Sequence, residues 1–364
     1  MKNIGIFTYD FYPIIGGQGR HLIELYHRIY NKKGFLIFSP NTNNLKNHKT
    51  LFNFTTKLGK HLLYSFLLNF KIKGLIKKYN LDIIHLHCGP GGTLILKKSK
   101  SKFICTVHHT YYQQQEYVPY QKWKFFLYIL EKRMYKNSDK LVVVSEDTKK
   151  VLIKNYGVVS SKIEVIPNGV DFKKFKKNKG IKKFKNSLLF VGRLDKRKGI
   201  DFLVKTIPFI KKEIPDIKLF VIGDGKIRKK LEKFVRNKDI ESNIKFLGFV
   251  PNSYLLRWYN RCQLTIVPSV FEGFGLTVIE SLACETPVIA TNVDGVRSII
   301  KNNKNGILVE YGNKKELAGQ VVELLNNSSL RKEFSIEGLK TIKGKFDWDK
   351  ITLKMLRVYK NVKY

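Results

Sequence analysis

The chain has 364 residues, 43% hydrophobic and 13% aromatic, which suits two folded domains and excludes a disordered or fibrous protein. Lys and Arg number 68 against 29 Asp and Glu, a formal net charge of +39. Such a chain is drawn to nucleic acid, anionic lipid or phosphorylated substrates, although genome base bias or a thermophilic origin also enriches lysine.

The first strand, Asn3–Tyr9, ends at Asp10 and is too brief for a secretory apolar core. A glycine turn, GGQGRH from Gly16 to His21, leads into a helix near Arg20. From Leu25 to Gln115 the only carboxylate is Asp82, against fifteen Lys and Arg, so this domain carries a basic face. Within it, residues 57–78 hold six Lys and no acid. Phe70, Leu75 and Ile76 sit among those lysines, the pattern of an amphipathic helix that lies on an anionic membrane. No apolar run reaches the ~20 residues that span a bilayer. Strand-like runs follow at 81–87 and 102–109, the second ending in TVHHTYY. A strand at 140–146, a helix over Thr148–Tyr156 and the segment 162–171 complete the first half.

The stretch from Phe172 to Ser187 carries eight Lys and reads as an interdomain linker, which puts the domains at 1–180 and 181–345. The alternation then restarts with strands at 187–193, 217–225, 243–249, 262–269, 286–292 and 306–310. The tail, 346–364, reads as a helix with Trp348, Ile351, Leu353, Met355, Leu356, Val358 and Tyr359 as its apolar residues. Short apolar strands alternating with helices imply parallel sheets, whose ligands bind at the carboxyl ends of the strands. The four cysteines, Cys88, Cys105, Cys262 and Cys284, form no CxxC pair, which argues against a zinc site and for a reducing cytosol.

Four motifs fall at such strand ends. Gly16 and Gly17 let backbone approach an anion at a helix N-terminus. In VGRLDKRKG, Arg193 leaves a strand and Lys198 opens the next helix, two cations suited to a diphosphate. In EGFGLTVIE, Glu272 and Glu280 flank seven residues. There Gly273, Phe274, Gly275 and Leu276 present loop amides, and Glu280 lies one turn into a helix, where it can accept from ribose hydroxyls. His108 and His109 end a strand and point to opposite sides, so at most one faces a ligand.

GGQGRH, TVHH, VSE, IPNGVD, VGRLDKRKG, VIGDG and EGFGLTVIE, in that order, resemble the family 4 retaining glycosyltransferases, over nearly the whole chain. FDWDKI, from Phe346 to Ile351, resembles the family's closing aromatic segment. The resemblance implies the GT-B fold: two Rossmann-like, doubly wound parallel-sheet domains facing a central cleft, with the tail packed back on the first. It implies a hexosyltransferase that uses a UDP- or GDP-sugar, with no metal and no cofactor. Gly16 and Gly17 would approach the donor diphosphate, Arg193 and Lys198 neutralise it, and Glu280 hold the ribose. Glu272 would meet the donor sugar, while Phe274, Gly275 and Leu276 offer amides. His108 would bind the sugar. His109 stands where many relatives carry Asp, and either histidine can be the one that faces the site. The acceptor implied is a glycan or a lipid-linked glycan of the cell envelope. The enzyme would be cytoplasmic and peripheral on the inner membrane face through residues 57–78.

Asp347-Trp348-Asp349 has the form of a metal-binding DxD, but it opens the tail helix rather than ending a strand. Three other readings compete: a nucleotide-sugar epimerase of the same architecture, a catalytically inactive accessory subunit, and a basic nucleic-acid-binding protein. The paired glutamates speak against the first, and the intact Glu272, Glu280, Arg193 and Lys198 against the second. The lack of a stacking or recognition-helix motif speaks against the third, so nucleic acid is not an expected partner.

Overall fold

The computed structural model describes residues 2–11, 16–32, 34–40, 46–52, 60–89, 93–94, 100–117 and 125–362. Residues 57–59 of the basic segment lie outside them. The chain forms two compact units, Met1–Asn168 with Trp348–Tyr364, and Gly169–Asp347.

Among the described residues the first unit holds a parallel sheet of seven strands: β1 (Ile4–Thr8), β2 (Phe35–Ser39), β3 (His48–Thr50), β4 (Ile83–Cys88), β5 (Lys102–Val107), β6 (Lys140–Val143) and β7 (Ile163–Val165). They run in the order β3-β2-β1-β4-β5-β6-β7. Strands β2 and β3 had no counterpart in the sequence reading; β3 is three residues long, too short to show a period. Alternation sorts the strand residues by face. Ile84, Leu86, Phe103, Cys105, Leu141 and Val143 pack beneath helices α2 (Lys60–Tyr79) and α4 (Phe125–Asn137). Ile4, Ile6, Ile83, Ile104 and Val142 pack beneath α1 (Gly17–Ile29) and the tail helix α12 (Trp348–Asn361). Between α2 and α4 come the short α3 (Tyr111–Tyr117) and, after them, α5 (Glu146–Lys154).

Helix α12 belongs to the first unit because one stripe of it is apolar: Trp348, Ile351, Met355, Val358 and Tyr359 are buried there, while Leu353 is exposed. Lys2 Nζ donates to the carbonyls of Tyr359 and Val362 at its C-terminal end, where a cation is favoured. Asp349 in its first turn accepts from Arg28 Nε at 2.7 Å.

The second unit holds β8 (Ser187–Val191), β9 (Lys218–Ile222), β10 (Ile244–Gly248), β11 (Leu264–Val267), β12 (Val288–Thr291) and β13 (Ile307–Val309). They form a parallel sheet ordered β10-β9-β8-β11-β12-β13. Its helices are α6 (Ile200–Glu213), α7 (Arg228–Arg236), α8 (Asn252–Arg261), α9 (Leu276–Ala283), α10 (Lys314–Asn326) and α11 (Ser328–Lys343). Helices α6 and α10 supply Leu203, Ile207, Ile210, Leu317, Val321 and Leu324 to its core.

The lysine-dense stretch 172–187 is not a free linker, and the boundary falls at 168/169 rather than 180/181. Two aromatic anchors among the lysines fasten it to the second unit. Phe175 is buried against Tyr259, and the Phe184 N–H donates to Arg261 O at 2.7 Å. Lys183 is itself drawn in: its Nζ donates to Cys262 O and Thr286 Oγ1 at 2.7 and 2.8 Å. Burial lowers that ammonium's pKa to about 8.

Candidate functional site

In a doubly wound sheet the ligand crevice opens where the strand order reverses, beyond the carboxyl ends of the two strands at that point. In the second unit those strands are β8 and β11. The loop after β8 carries Arg193 to Gly199; the loop after β11 carries Pro268 to Gly275. Hydrogen bonds join them. Val270 N donates to Arg197 O at 2.8 Å, and Arg197 Nη1 to Phe271 O at 3.2 Å. Gly199 has φ +65, and a Cβ there would lie 1.7 Å from Pro268 O. Only glycine allows the loops to approach so closely.

Lys198 and Glu272 meet across this junction, Nζ to Oε1, at 2.5 Å. Ser269 Oγ donates to the same oxygen at 2.8 Å. Burial pulls the Lys198 ammonium down and Glu272 only partly restores it. Burial pushes the Glu272 carboxyl up, but Lys198 and Arg197 outweigh it and hold the group below its usual range. The contact is an ion pair, the partner each buried group needs to offset its desolvation. Asp195 anchors the cationic loop, since its Oδ1 accepts from Lys198 N at 3.0 Å. Its Oδ2 lies 3.6 Å from Arg193 Nε, and the Arg193 side chain is half exposed.

The segment from Gly273 to Leu276 runs into the N-terminus of α9. Gly275, with φ +101, is the residue before the helix, a left-handed turn that starts α9 directly after the loop. Phe274 is not at the surface: it is buried with its ring edge-on to Phe346, centroids 5.5 Å apart. Glu280 is 3% exposed, and its Oε2 accepts from Tyr259 O–H at 2.8 Å. The structure therefore brings Arg193, Lys198, Glu272 and the 273–276 amides to one switch point and places Glu280 one turn deeper. Ser269, Arg197, Asp195 and Tyr259 were not singled out from the sequence. Asp195 was legible as a helix-capping residue three before Lys198, whereas nothing in the sequence ties Tyr259 to Glu280.

The first unit's switch point lies between β1 and β4. Gln18 Nε2 joins the two strand ends, donating to Thr8 Oγ1 at 3.2 Å and His87 O at 2.9 Å. Gly16 precedes α1, and its amide is taken internally: Asp10 Oδ2 accepts from Gly16 N and Gly19 N, both at 3.0 Å. Gly17 is exposed.

Four imidazoles are buried beside it, on the α1 and α12 face that strand alternation assigns to His85, His87 and His108, with His21 from α1. His21 packs on His108 and His87, ring centroids 5.1 and 5.4 Å apart, and on Trp348. Its Nδ1 meets Asn168 Oδ1 at 2.6 Å. His85 bridges Tyr359 O–H and Thr106 Oγ1 at 2.6 and 2.7 Å. His87 Nδ1 and His108 Nε2 are 3.4 Å apart. Burial lowers His21 to about 4 and His85 to about 3. Burial, then the neighbouring imidazoles, hold His87 and His108 well below the ordinary value. The cluster is neutral at pH 7, so it can offer hydrogen bonds but not a cation. Of the two adjacent histidines, His108 is the one in the cluster; His109 is half-exposed and lies beside Gly89.

Two Rossmann-like units, each with its polar groups at a switch point, define the GT-B architecture of sugar-transferring enzymes. The chain belongs to the family 4 glycosyltransferases. Residues 15–174 match Glycosyltransferase Family 4, and residues 171–341 match Glycosyl transferases group 1. An uncharacterised glycosyltransferase of Methanocaldococcus jannaschii is 32% identical, over 97% of this chain and 96% of its own length. The N-acetylgalactosamine-N,N'-diacetylbacillosaminyl-diphospho-undecaprenol 4-alpha-N-acetylgalactosaminyltransferase of Campylobacter jejuni is 29% identical, over 62% of this chain and 60% of its own. Sucrose-phosphate synthase from Thermosynechococcus elongatus has the same fold, with a TM-score of 0.89 and 21% identity over 100% of this chain and 99% of that one. So does Anabaena HepE in complex with UDP-glucose, with a TM-score of 0.76 and 17% identity over 98% and 99%.

Proposed function

We propose that the protein is a retaining hexosyltransferase that moves a sugar from a UDP- or GDP-sugar to a hydroxyl of a lipid-linked or cell-envelope glycan. The Lys198–Glu272 pair, held at the second unit's switch point under the α9 N-terminus, carries this reading. Its Lys198 ammonium, oriented by Glu272, is a fixed cation that needs no reorganisation when negative charge develops on a departing diphosphate. Arg193 on the same loop adds a second cation and the 273–276 amides add dipoles, so these groups take the place of a divalent ion. Glu280 holds the donor ribose, and His108, as a neutral imidazole, hydrogen-bonds the transferred sugar. The HepE complex with UDP-glucose and the diphospho-undecaprenol in the C. jejuni relative's name support donor and acceptor of these classes. A lipid-linked acceptor also fits the basic segment 57–78, which brings the enzyme to an anionic membrane.

Glu272 is occupied by Lys198 and Ser269, so it is ill-suited to act as a nucleophile on the sugar. The reading is therefore front-face substitution. The bond from the anomeric carbon to the phosphate oxygen breaks, the acceptor oxygen bonds to that carbon on the same face, and the acceptor's proton passes to the leaving phosphate. The test is incubation with UDP-, GDP- and ADP-sugars, with and without a membrane lipid extract, with detection of free nucleotide and of the product's anomeric configuration. Nucleotide release that needs the extract, survives a chelator and yields the donor's anomeric configuration is expected. Epimerised sugar nucleotide in the absence of acceptor, or an inverted product, would overturn the reading.

A further inference from the structure

Helices α2 and α4 lie on the same face of the first sheet and share one core, to which α2 gives Tyr64, Leu68 and Ile72 and α4 gives Met134 and Tyr135. Residues 93–94 tie them together. Asn69 Nδ2 donates to Thr93 O at 3.1 Å, Ser65 Oγ accepts from Thr93 N, and Leu94 N points at Met134 Sδ at 3.2 Å. Their inner faces are thus fully used. Both helices are nevertheless apolar on the outside as well. Leu63, Phe66 and Phe70 project from α2, with Phe66 60% and Phe70 71% exposed and their rings edge-to-face at 5.0 Å. Phe125, Phe126 and Ile129 project from α4, with Ile129 59% exposed. Leu75 and Ile76, which the sequence grouped with Phe70, pack inward against the core instead.

A helix segment apolar on its outer as well as its inner face, as the N-terminal halves of α2 and α4 are, is normally buried in protein or lipid, and exposed aromatics mark an interaction surface. The exposed charges on the two helices themselves are of one sign. Helix α2 contains no carboxylate, and its Lys71, Lys73, Lys77 and Lys78 are exposed. Helix α4 contains one, Glu131, which is buried and accepts from Tyr156 O–H and Tyr111 N, leaving Arg133 and Lys136 outside. Among the described residues no helix is long and apolar enough to cross a membrane.

We propose that α2 and α4 form a single lipid-docking face that seats these six apolar side chains among the acyl chains of an anionic bilayer while the flanking lysines and arginine meet its headgroups. Aromatics that reach the acyl boundary and cations that stay at the headgroup level are the two components of interfacial binding. A second copy of the chain fits the face less well, because pairing it with itself would set the α2 lysines against one another. The proposal rests on the membrane-acceptor reading above for its purpose. It departs from that reading in making α4 half of the surface and in replacing Leu75 and Ile76 with Leu63 and Phe66.

The test is co-sedimentation of the full chain with phosphatidylglycerol or phosphatidylcholine liposomes, at low and high salt, with no donor or acceptor present. Phe66→Ser with Phe70→Ser, and separately Phe125→Ser with Phe126→Ser, change exposed side chains and are expected to keep the melting temperature. Each pair is expected to lower partition into phosphatidylglycerol by about tenfold or more, from the apolar area withdrawn, and high salt is expected to weaken what remains. Wild-type binding by the α4 pair would remove α4 from the face. Equal partition into both lipids would overturn the electrostatic half. A wild-type dimer that these substitutions split, with no liposome binding, would assign the face to a second copy. Because the assay contains no substrate, its failure leaves sugar transfer standing, and failure of nucleotide release leaves the lipid face standing.

Discussion

The two sheets share one order over six strands, the first adding a seventh, and each gathers ionisable side chains at its reversal of strand order, yet they bury opposite kinds of group. The second unit buries a lysine and a glutamate as an ion pair, with Ser269 donating to the same carboxylate oxygen and Asp195 holding the Lys198 backbone amide. The first unit buries four imidazoles with no carboxylate against them among the contacts described, and they remain neutral. Low polarity forbids an isolated charge. A lysine escapes this only by finding an anion, whereas a histidine escapes by shedding a proton at a pH the cell can afford. One site is thus a permanent electrostatic device, and the other a hydrogen-bonding surface that acid should disable.

The largest test of that contrast is Lys198→Ala. It removes a pre-organised cation, a loss on the order of 2–4 kcal/mol in transition-state stabilisation, and strands Glu272 as a buried charge, with about 3–5 kcal/mol of folding stability at stake. Nucleotide release and the urea midpoint should both fall. Adding Glu272→Gln should restore much of the midpoint without restoring turnover. Recovery of both would mean the pair serves only the fold. Glu280→Ala is expected to lower turnover by a similar 2–4 kcal/mol.

Acid is the next test, and it should single out the first unit. His21 titrates near 6.5 unfolded and about 4 folded, so between those values the unfolded chain binds more protons. Stability is intact above about pH 6.5 and is lost as pH falls toward 4, by about 3 kcal/mol for this group alone. The depressed His85, His87 and His108 act in the same direction. Amide protection, corrected for intrinsic exchange, should fall in β4 and β5 before it falls in β8 and β11. Equal loss in both units would erase the contrast.

The smallest test is Ser269→Ala, which deletes one of two donors to Glu272 Oε1. About 1 kcal/mol is expected, seen as a several-fold drop in turnover with the melting temperature nearly kept. A loss as large as that of Lys198→Ala would show that the hydroxyl, rather than the ammonium, holds the carboxylate.

Most of the fold was legible because buried parallel strands announce themselves as apolar runs: β1, β4, β5, β6 and every strand of the second unit fall within the runs identified. Strand β3 escaped, being three residues long, and β2, as long as β1, was missed although Phe35–Phe38 is an apolar run. The lysines at 172–187 concealed Phe175 and Phe184 because composition averages over the few residues that pack. At the site, Arg193, Lys198, Glu272 and Gly275 were legible since each sits within a few residues of a strand end or a helix start. Tyr259 and Ser269 were not, because the first reaches Glu280 from a different helix and the second is an ordinary serine until the loop folds.

The sequence by itself determined two parallel α/β sheets, an apolar stripe on the tail helix, and a cation-bearing loop at a strand end with a glutamate pair further on. These follow from local periodicity, glycine placement and charge. Only the tertiary structure decided that Lys198 and Glu272 pair, that four histidines from α1, β4 and the end of β5 are buried against one another, and that α2 and α4 leave aromatics exposed on the same face of the sheet. Each of these joins segments far apart in the chain, and burial, which sets whether a charge survives and whether an apolar side chain is left over, exists only once they have met.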